Sequence, residues 1–376
     1  MSKNNLKKQR IVIKVGTSLL TSSSPRLDGA AISRLVDQLV DLHNEGYEIT
    51  LVSSGACAAG KEKTGKVRGF AGVAERQIYA SIGQSRLMNV YEKLFGAHKI
   101  TIAQALLTKH DLSDRSGYLN ARNTLMALQD LRIICIVNEN DVVAIDEVRE
   151  EKFGENDILS AMVANLIDAD LLLILSDVNG LYSHDPLKYA DKAELIPVVE
   201  KIDTRITKLA SGSHNKAATG GMITKLEAAR LATESGITVI IANGREPDVI
   251  KRIAGGESIG TRFLPSTLHK ESRQRWLLSG LCIRGSLVID EGAKKALIEG
   301  KRSLLPAGIA KVEGKFKRGD AVNLNDSTGN RFGCGLTNYT SDELKLIKGL
   351  HSSRINETLG YDYGTEAVHR NNLTIL

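Results

Sequence analysis

Several short segments carry the residue types that handle phosphate and carboxylate groups, and most of them directly follow an apolar, β-branched run. In KVGTS, Lys14 stands at the carboxyl end of such a run, and Gly16 and Thr17 can bring backbone amides close to an anion. A lysine in an apolar strand can equally snorkel to solvent, and its type alone does not choose. SSGA offers Ser53, Ser54 and Gly55 as donors to a carboxylate or phosphate, or as an ordinary helix cap. NEND at 138–141 and GENDILSA at 154–161 supply acidic and amide groups that suit a substrate ammonium, water or a cation, and that also suit turns and caps. LSDVNGLYSHDP places Ser176 and Asp177 after another apolar run, with Gly180 and Pro186 shaping the chain beyond them. TGGMITKLEAA, 219–229, joins a glycine pair to a helix start and sets Lys225 one to two turns inside it. Two lysines and a helix N-terminus would offset the negative charge of a transferring phosphoryl group.

One further stretch imitates a nucleotide-binding loop. In VSSGACAAGKEKTGKV, Gly60, Gly65 and Lys66 have P-loop spacing, but Val67 stands where Ser or Thr would meet magnesium. The preceding strand ends at Val52, too far upstream to feed a phosphate loop at Gly60. SSGACAAG already reads as the turn and helix start, and GKV beyond it as an exposed basic loop.

These segments need elements that bring them together. Strand signals at 11–16, 48–52, 99–106, 132–137, 170–175 and 237–242 alternate with helical periodicity after 30 and over 75–95, 118–130, 157–168 and 222–235. Strands apolar on both faces require helices on both sides of the sheet, so residues 1–265 read as an α/β domain, an αβα sandwich with a mostly parallel central sheet. In such a sheet a ligand sits beyond the carboxyl ends of the strands, where these polar segments begin. After a linker at 266–275 the texture changes near Trp276. Short strand candidates GSLVID, AGIAKVEG and DAVNLND, broken by frequent glycines, suggest a small mixed-β module at 276–355, followed by an extension, 356–376, whose NNLTIL is either a strand or a tail.

Composition is that of a folded soluble protein, long enough to leave room for an enzyme. The chain has 376 residues, 42% apolar and 25% charged, and no apolar run approaches the ~20 residues of a membrane span, so a cytoplasmic location is the expectation. Four scattered cysteines lack CxxC spacing, which argues against a zinc cluster or a disulfide framework. A net charge of +6 arises from 50 basic against 44 acidic residues without a long cationic block, the pattern of solvated surface charge.

In order, KVGTS, SSGA, NENDVV, GENDILSA, LSDVNGLY and TGGMITKLEAA closely resemble the amino acid kinase family, in its glutamate-phosphorylating branch. RGSLVIDEGAKKAL and SLLPAGIAKVEGKFKRGDAV resemble the PUA domain appended to many bacterial members. The resemblance implies transfer of the ATP γ-phosphoryl group, with Mg2+, to the side-chain carboxylate of L-glutamate, opening proline biosynthesis. It makes Lys14 and Lys225 the phosphate-stabilising pair and Asp157 their organiser. It gives Ser54, Asp141 and Asn156 to glutamate, and assigns ATP contacts to Lys14, Ser176, Asp177, Thr219, Gly220, Gly221, Met222, Ile223, Thr224 and Lys225. No protein side chain is assigned to the metal. Ser176 stands where many relatives have Thr, and Ala218 where Gly is frequent, which bears on loop geometry rather than on reaction class. Feedback by L-proline, with the loop around 58–72 as its candidate seat, and a homo-oligomer, possibly a tetramer, are further family expectations. An RNA partner is not expected, because aromatic stacking residues are sparse in the C-terminal module.

Overall fold

The computed structural model describes residues 9–21, 26–144, 155–186, 188–189, 191–211, 221–265, 283–300 and 302–375. The expected linker at 266–275, Trp276, Thr219 and Gly220 lie outside the described residues. Backbone contacts divide the chain into two compact units, Met1–Leu112 with Ala121–His269 and Ser113–Asn120 with Lys270–Leu376.

Among the described residues of the first unit, eight strands form one sheet. They are β1 (Arg10–Val15), β2 (Glu48–Ser53), β3 (Ile102–Leu107), β4 (Ile134–Glu139), β5 (Leu171–Ser176), β6 (Val198–Val199), β7 (Thr238–Asn243) and β8 (Thr261–Phe263), in the spatial order β3-β4-β2-β1-β5-β7-β8-β6. All neighbouring pairs are parallel except β7 with β8. The helices among the described residues up to 265 are α1 (Thr17–Leu20), α2 (Gly29–Asn44), α3 (Ala56–Thr64), α4 (Gly72–Ala97), α5 (Lys109–Ser113), α6 (Arg115–Asp130), α7 (Glu155–Leu166), α8 (Thr204–Ser211), α9 (Met222–Glu234) and α10 (Val249–Ala254), with Ser113 and the first turns of α6 counted in the second unit.

Alternation along β1 decides which face does chemistry. Ile11, Ile13 and Val15 enter one core with Ile32, Leu35, Val36 and Leu39 of α2 and Leu87, Tyr91 and Phe95 of α4. Their helical spacing is what a buried helix stripe requires, and Asp28 starts α2 by accepting the amides of Ala30 and Ala31 at 2.9 and 3.0 Å. Val12 and Lys14 therefore point to the opposite face, where α7 packs on β1 and against α9.

The P-loop imitation has a packing explanation. Gly60 is buried inside α3, and a Cβ there would overlap the carbonyl oxygen of Tyr79; a Cβ on Gly83 of α4 would overlap that of Ala56. The two glycines let α3 and α4 cross with their backbones nearly touching. The segment read as a loop over 58–72 is thus helical as far as Thr64, and α4 starts again at Gly72. Gly60→Ala or Gly83→Ala is expected to destabilise the protein by about 1–3 kcal/mol or more, because backbone cannot yield as a side-chain tip does. A thermal melt showing no change for both would refute the crossing.

In the second unit, β9 (Gly285–Ile289), β10 (Ile309–Gly314), β11 (Ala321–Asn325), β12 (Arg331–Leu336) and β13 (Leu373–Ile375) form a mixed sheet in the order β10-β9-β11-β12-β13, with only β9 and β11 parallel. Helices α11 (Glu291–Ile298), α12 (Ser341–Ile347) and α13 (Ile355–Leu359) accompany it, and Leu287, Ile289, Leu324, Tyr339, Leu344 and Val368 lie in its core. NNLTIL contributes a strand, β13. Strand β12, RFGCGL, escaped the sequence reading because it carries two glycines; a Cβ at Gly333 would press within 2.7 Å of the Thr374 carbonyl oxygen, so the gap in the pattern is what lets β13 pair there. No helix among the described residues is long and apolar enough to cross a membrane.

Candidate active site

Because β1, β2, β4, β5 and β7 run parallel, their carboxyl ends share one edge of the sheet, and register places Lys14 beside Val52 and Ile174, Val15 beside Ser53, and Ser176 beside Asn243. Helix α7 follows β4 and precedes β5, and α9 precedes β7, so both begin at this same edge. Sequence-distant segments converge here for that reason.

At the centre, Asp157, the third residue of α7, is fully buried between two lysines. Lys14 Nζ lies 2.7 Å from Asp157 Oδ1, and Lys225 Nζ lies 3.4 Å from Oδ2, which also accepts the Thr224 hydroxyl at 2.9 Å. Both lysines are themselves buried, so Lys14 does not snorkel and Lys225, the fourth residue of α9, is no surface lysine; it stands in the first turn rather than beyond it. Burial opposes ionisation of Asp157, but the ammonium groups of Lys14 and Lys225 and the Thr224 hydroxyl outweigh it, holding the carboxyl below the usual range. Lys225 is pushed down from the ordinary lysine value, mainly by burial and further by the Lys14 ammonium, against the opposing pull of Asp157 and Asp177. One carboxylate thus fixes two cations and leaves the cluster one positive charge in excess, a stance suited to a polyanion.

The helix start adds to this. Gly221 caps α9 without a side-chain bond, and among the described residues no atom lies within 4 Å of a would-be Cβ there and no side chain caps the first amides of α9, at Met222, Ile223 and Thr224. Ser176 is buried at the end of β5 and its hydroxyl accepts the Val178 amide at 3.3 Å; Asp177 next to it is exposed. The loop after Asp177 is tied to β7, where Asn243 Nδ2 donates to Asn179 Oδ1 at 2.9 Å.

A second, uncharged group lies at the ends of β2 and β4. Asn156 Nδ2 donates to the Ser53 carbonyl at 3.2 Å, the Ser54 hydroxyl at 3.1 Å and Asn138 Oδ1 at 3.2 Å. Neither serine caps α3, since Gly55 holds that position at φ 100°. The Ser53 hydroxyl instead meets Tyr91 at 2.9 Å, and burial pushes the Tyr91 phenol up to about 12, so it stays neutral. Asp141 stands half-buried in the turn after β4. Lys14, Asp157, Thr224 and Lys225 are therefore joined, as are Ser54 and Asn156, while Thr219 and Gly220 lie outside the described residues.

Comparison with known proteins identifies the family. The amino acid kinase family model matches residues 9–243 and the PUA domain model residues 285–359. The chain belongs to the amino acid kinase family. It is 57% identical over 368 residues to a protein of Dehalococcoides mccartyi (strain CBDB1) named glutamate 5-kinase, covering 98% of each chain. A protein of the same name from Haemophilus influenzae (strain PittGG) is 45% identical over 372 residues, 99% of this chain and 100% of that one. A solved UMP kinase from Bacillus anthracis aligns with 69% of this chain and 97% of its own at 16% identity and a TM-score of 0.46, a likeness too slight to add to the argument.

Two residues of this hydrogen-bonded network were not singled out by the sequence. Asn138 lay within NEND but nothing distinguished it from its neighbours. Gln84, whose Oε1 accepts Asn138 Nδ2 at 2.8 Å, sits in the middle of α4, where a polar residue at helical spacing carries no signal of its own.

Proposed function

We propose that the chain transfers the γ-phosphoryl group of ATP to the side-chain carboxylate of L-glutamate, giving γ-glutamyl phosphate and ADP, the first step of proline biosynthesis. The relatives named glutamate 5-kinase, matched over almost their full length, support the substrate, and the buried Lys14–Asp157–Lys225 cluster at the strand ends is the observation that carries the chemistry. A glutamate carboxylate oxygen attacks the γ-phosphorus as its bond to the ADP oxygen breaks. No general base is needed, because that carboxylate is already ionised near neutral pH. The work is to bring two anions together and to stabilise charge on the transferring oxygens, which is the task of fixed ammonium groups and helix amides.

In this reading Lys14 and Lys225 stabilise the transferring group and Asp157 holds them apart and in place. Ser54, Asp141 and Asn156 bind glutamate, while Ser176, Asp177 and the segment Thr219–Lys225 bind ATP together with Lys14. Magnesium, when bound with ATP, would supply charge neutralisation on the phosphates that the lysines and the helix amides face. Asp157 is committed to the lysines, and no protein side chain is assigned to the metal. The kinase domain is assigned to 1–265, the linker to 266–275, the PUA domain to 276–355 and the extension to 356–376, with the PUA domain serving assembly, stability or regulation rather than RNA recognition. Proline resembles glutamate closely enough to compete at its pocket, and α3 with the Gly65–Ala71 connection is the adjoining element.

The test is side-by-side turnover of glutamate, aspartate, acetylglutamate and UMP by the purified chain, reading ADP release and trapping the acyl phosphate with hydroxylamine. Glutamate is expected to react alone, to require magnesium, and to be opposed by added proline. Faster turnover of another acceptor reassigns the substrate within the family.

A further inference from the structure

Asn156 and Gln84 each keep one buried amide atom without a partner among the described residues, the acceptor Oδ1 of Asn156 and the donor Nε2 of Gln84. Main-chain groups whose roles are fixed decide the orientation of each amide. The Ser53 carbonyl only accepts, so the Asn156 atom 3.2 Å from it is the NH2 group. The Glu139 N–H only donates, so the Asn138 atom 2.9 Å from it is the carbonyl oxygen. The NH2 group of Asn138 must then face Gln84, and the Gln84 atom it meets at 2.8 Å is Oε1. The NH2 group of Gln84 is left over by this chain of necessity, as is the carbonyl oxygen of Asn156.

The network Ser53–Asn156–Asn138–Gln84 therefore ends in one unused acceptor on α7 and one unused donor on α4. Buried amide groups are costly to leave unpaired, and a site that leaves them so discriminates strongly for a ligand that completes them. An α-amino acid has the matching pair: an ammonium group that only donates and an α-carboxylate that only accepts. Resting on the assignment of glutamate as substrate, we propose that Gln84 is a specificity-determining residue, its Nε2 donating to the α-carboxylate of the substrate while Asn156 Oδ1 accepts from the α-ammonium. The side-chain carboxylate is then the one left for the lysines. On this assignment the α-carboxylate is held by a neutral amide donor rather than by an ammonium group.

The experiment compares kcat/KM for glutamate and for its α-amide, which replaces the α-carboxylate by a carboxamide, in the full-length chain. The wild type is expected to favour glutamate. Gln84→Glu keeps an oxygen for Asn138 but turns the free donor into a carboxylate, so the preference for glutamate over the α-amide should fall by roughly tenfold or more, the size of a hydrogen bond to a charged group, with the KM for ATP unchanged. Gln84→Met, neutral and similar in length, removes the donor without adding charge and should lower the same ratio; it carries the comparison if Gln84→Glu does not fold. An unaltered ratio in a folded variant, or a wild type that does not distinguish the two compounds, overturns the assignment. A wild type that turns over no glutamate at all instead rejects the parent reading.

Discussion

Lys225→Met is expected to lower kcat by roughly 10²–10³-fold, the loss seen when one preorganised donor to a developing negative charge is removed. Methionine preserves much of the length and packing of the lysine stem, so the change isolates the ammonium group. Lys225 reaches Asp157 from the first turn of α9, and its charge is held in a buried position where it is worth more than in water. Its interaction grows as charge shifts to the transferring oxygens, so kcat should fall with little change in the KM for glutamate. Lys14→Met should be similarly slow, but with an opposite side effect on its neighbour. The Lys14 ammonium depresses Lys225, so its removal raises the Lys225 pKa and moves the basic limb of the rate profile to higher pH. Near wild-type kcat in folded Lys225→Met would remove that lysine from the mechanism.

Much of this arrangement could be read before the structure, for a physical reason. A parallel sheet writes itself as successive apolar runs, and its carboxyl ends are where polar loops must begin, so Lys14, Ser54, Ser176 and the α9 start were each visible as polar residues at the end of a run or the start of a helix. What the sequence left open was direction. Residue type did not say whether Lys14 faced solvent or a partner; alternation opposite Ile13 and Val15, together with α7 packing on that face, does. Nor could local pattern reveal that Gly60 serves a helix crossing, since the residue that demands it, Tyr79, belongs to another helix. Gln84 was hidden for the same reason: its only visible context was α4, whereas its role depends on Asn138 at the end of β4.

Asp157→Asn should affect stability, pH dependence and chemistry together, because Asp157 is the common partner of both lysines. The substitution keeps the shape and the Thr224 bond but leaves two buried ammonium groups facing each other, and breaking such a buried pair typically costs about 3–5 kcal/mol. The pH signature has a definite sign. In the wild type the carboxyl lies below its ordinary value, so its contribution to stability is fully present above the unfolded-state pKa of about 3.9 and is lost as pH falls through the lower folded value. The stability difference between wild type and variant should accordingly be large at neutral pH and vanish in acid. Lys225 titrates in the other direction. Asp157 raises its pKa, so removing the carboxylate depresses it further, and the penalty for burying this charge is greatest below the lowered pKa and is relieved as pH climbs towards the ordinary lysine value of about 10.4. Urea unfolding across pH should therefore find the variant least stable relative to wild type in the neutral range. Its turnover should be lower throughout, with a basic limb displaced to lower pH as Lys225 gives up its proton earlier. A variant with wild-type stability and an unmoved basic limb would mean that Asp157 neither anchors the lysines nor sets their charge, and the cluster would then have to be read as three independent groups.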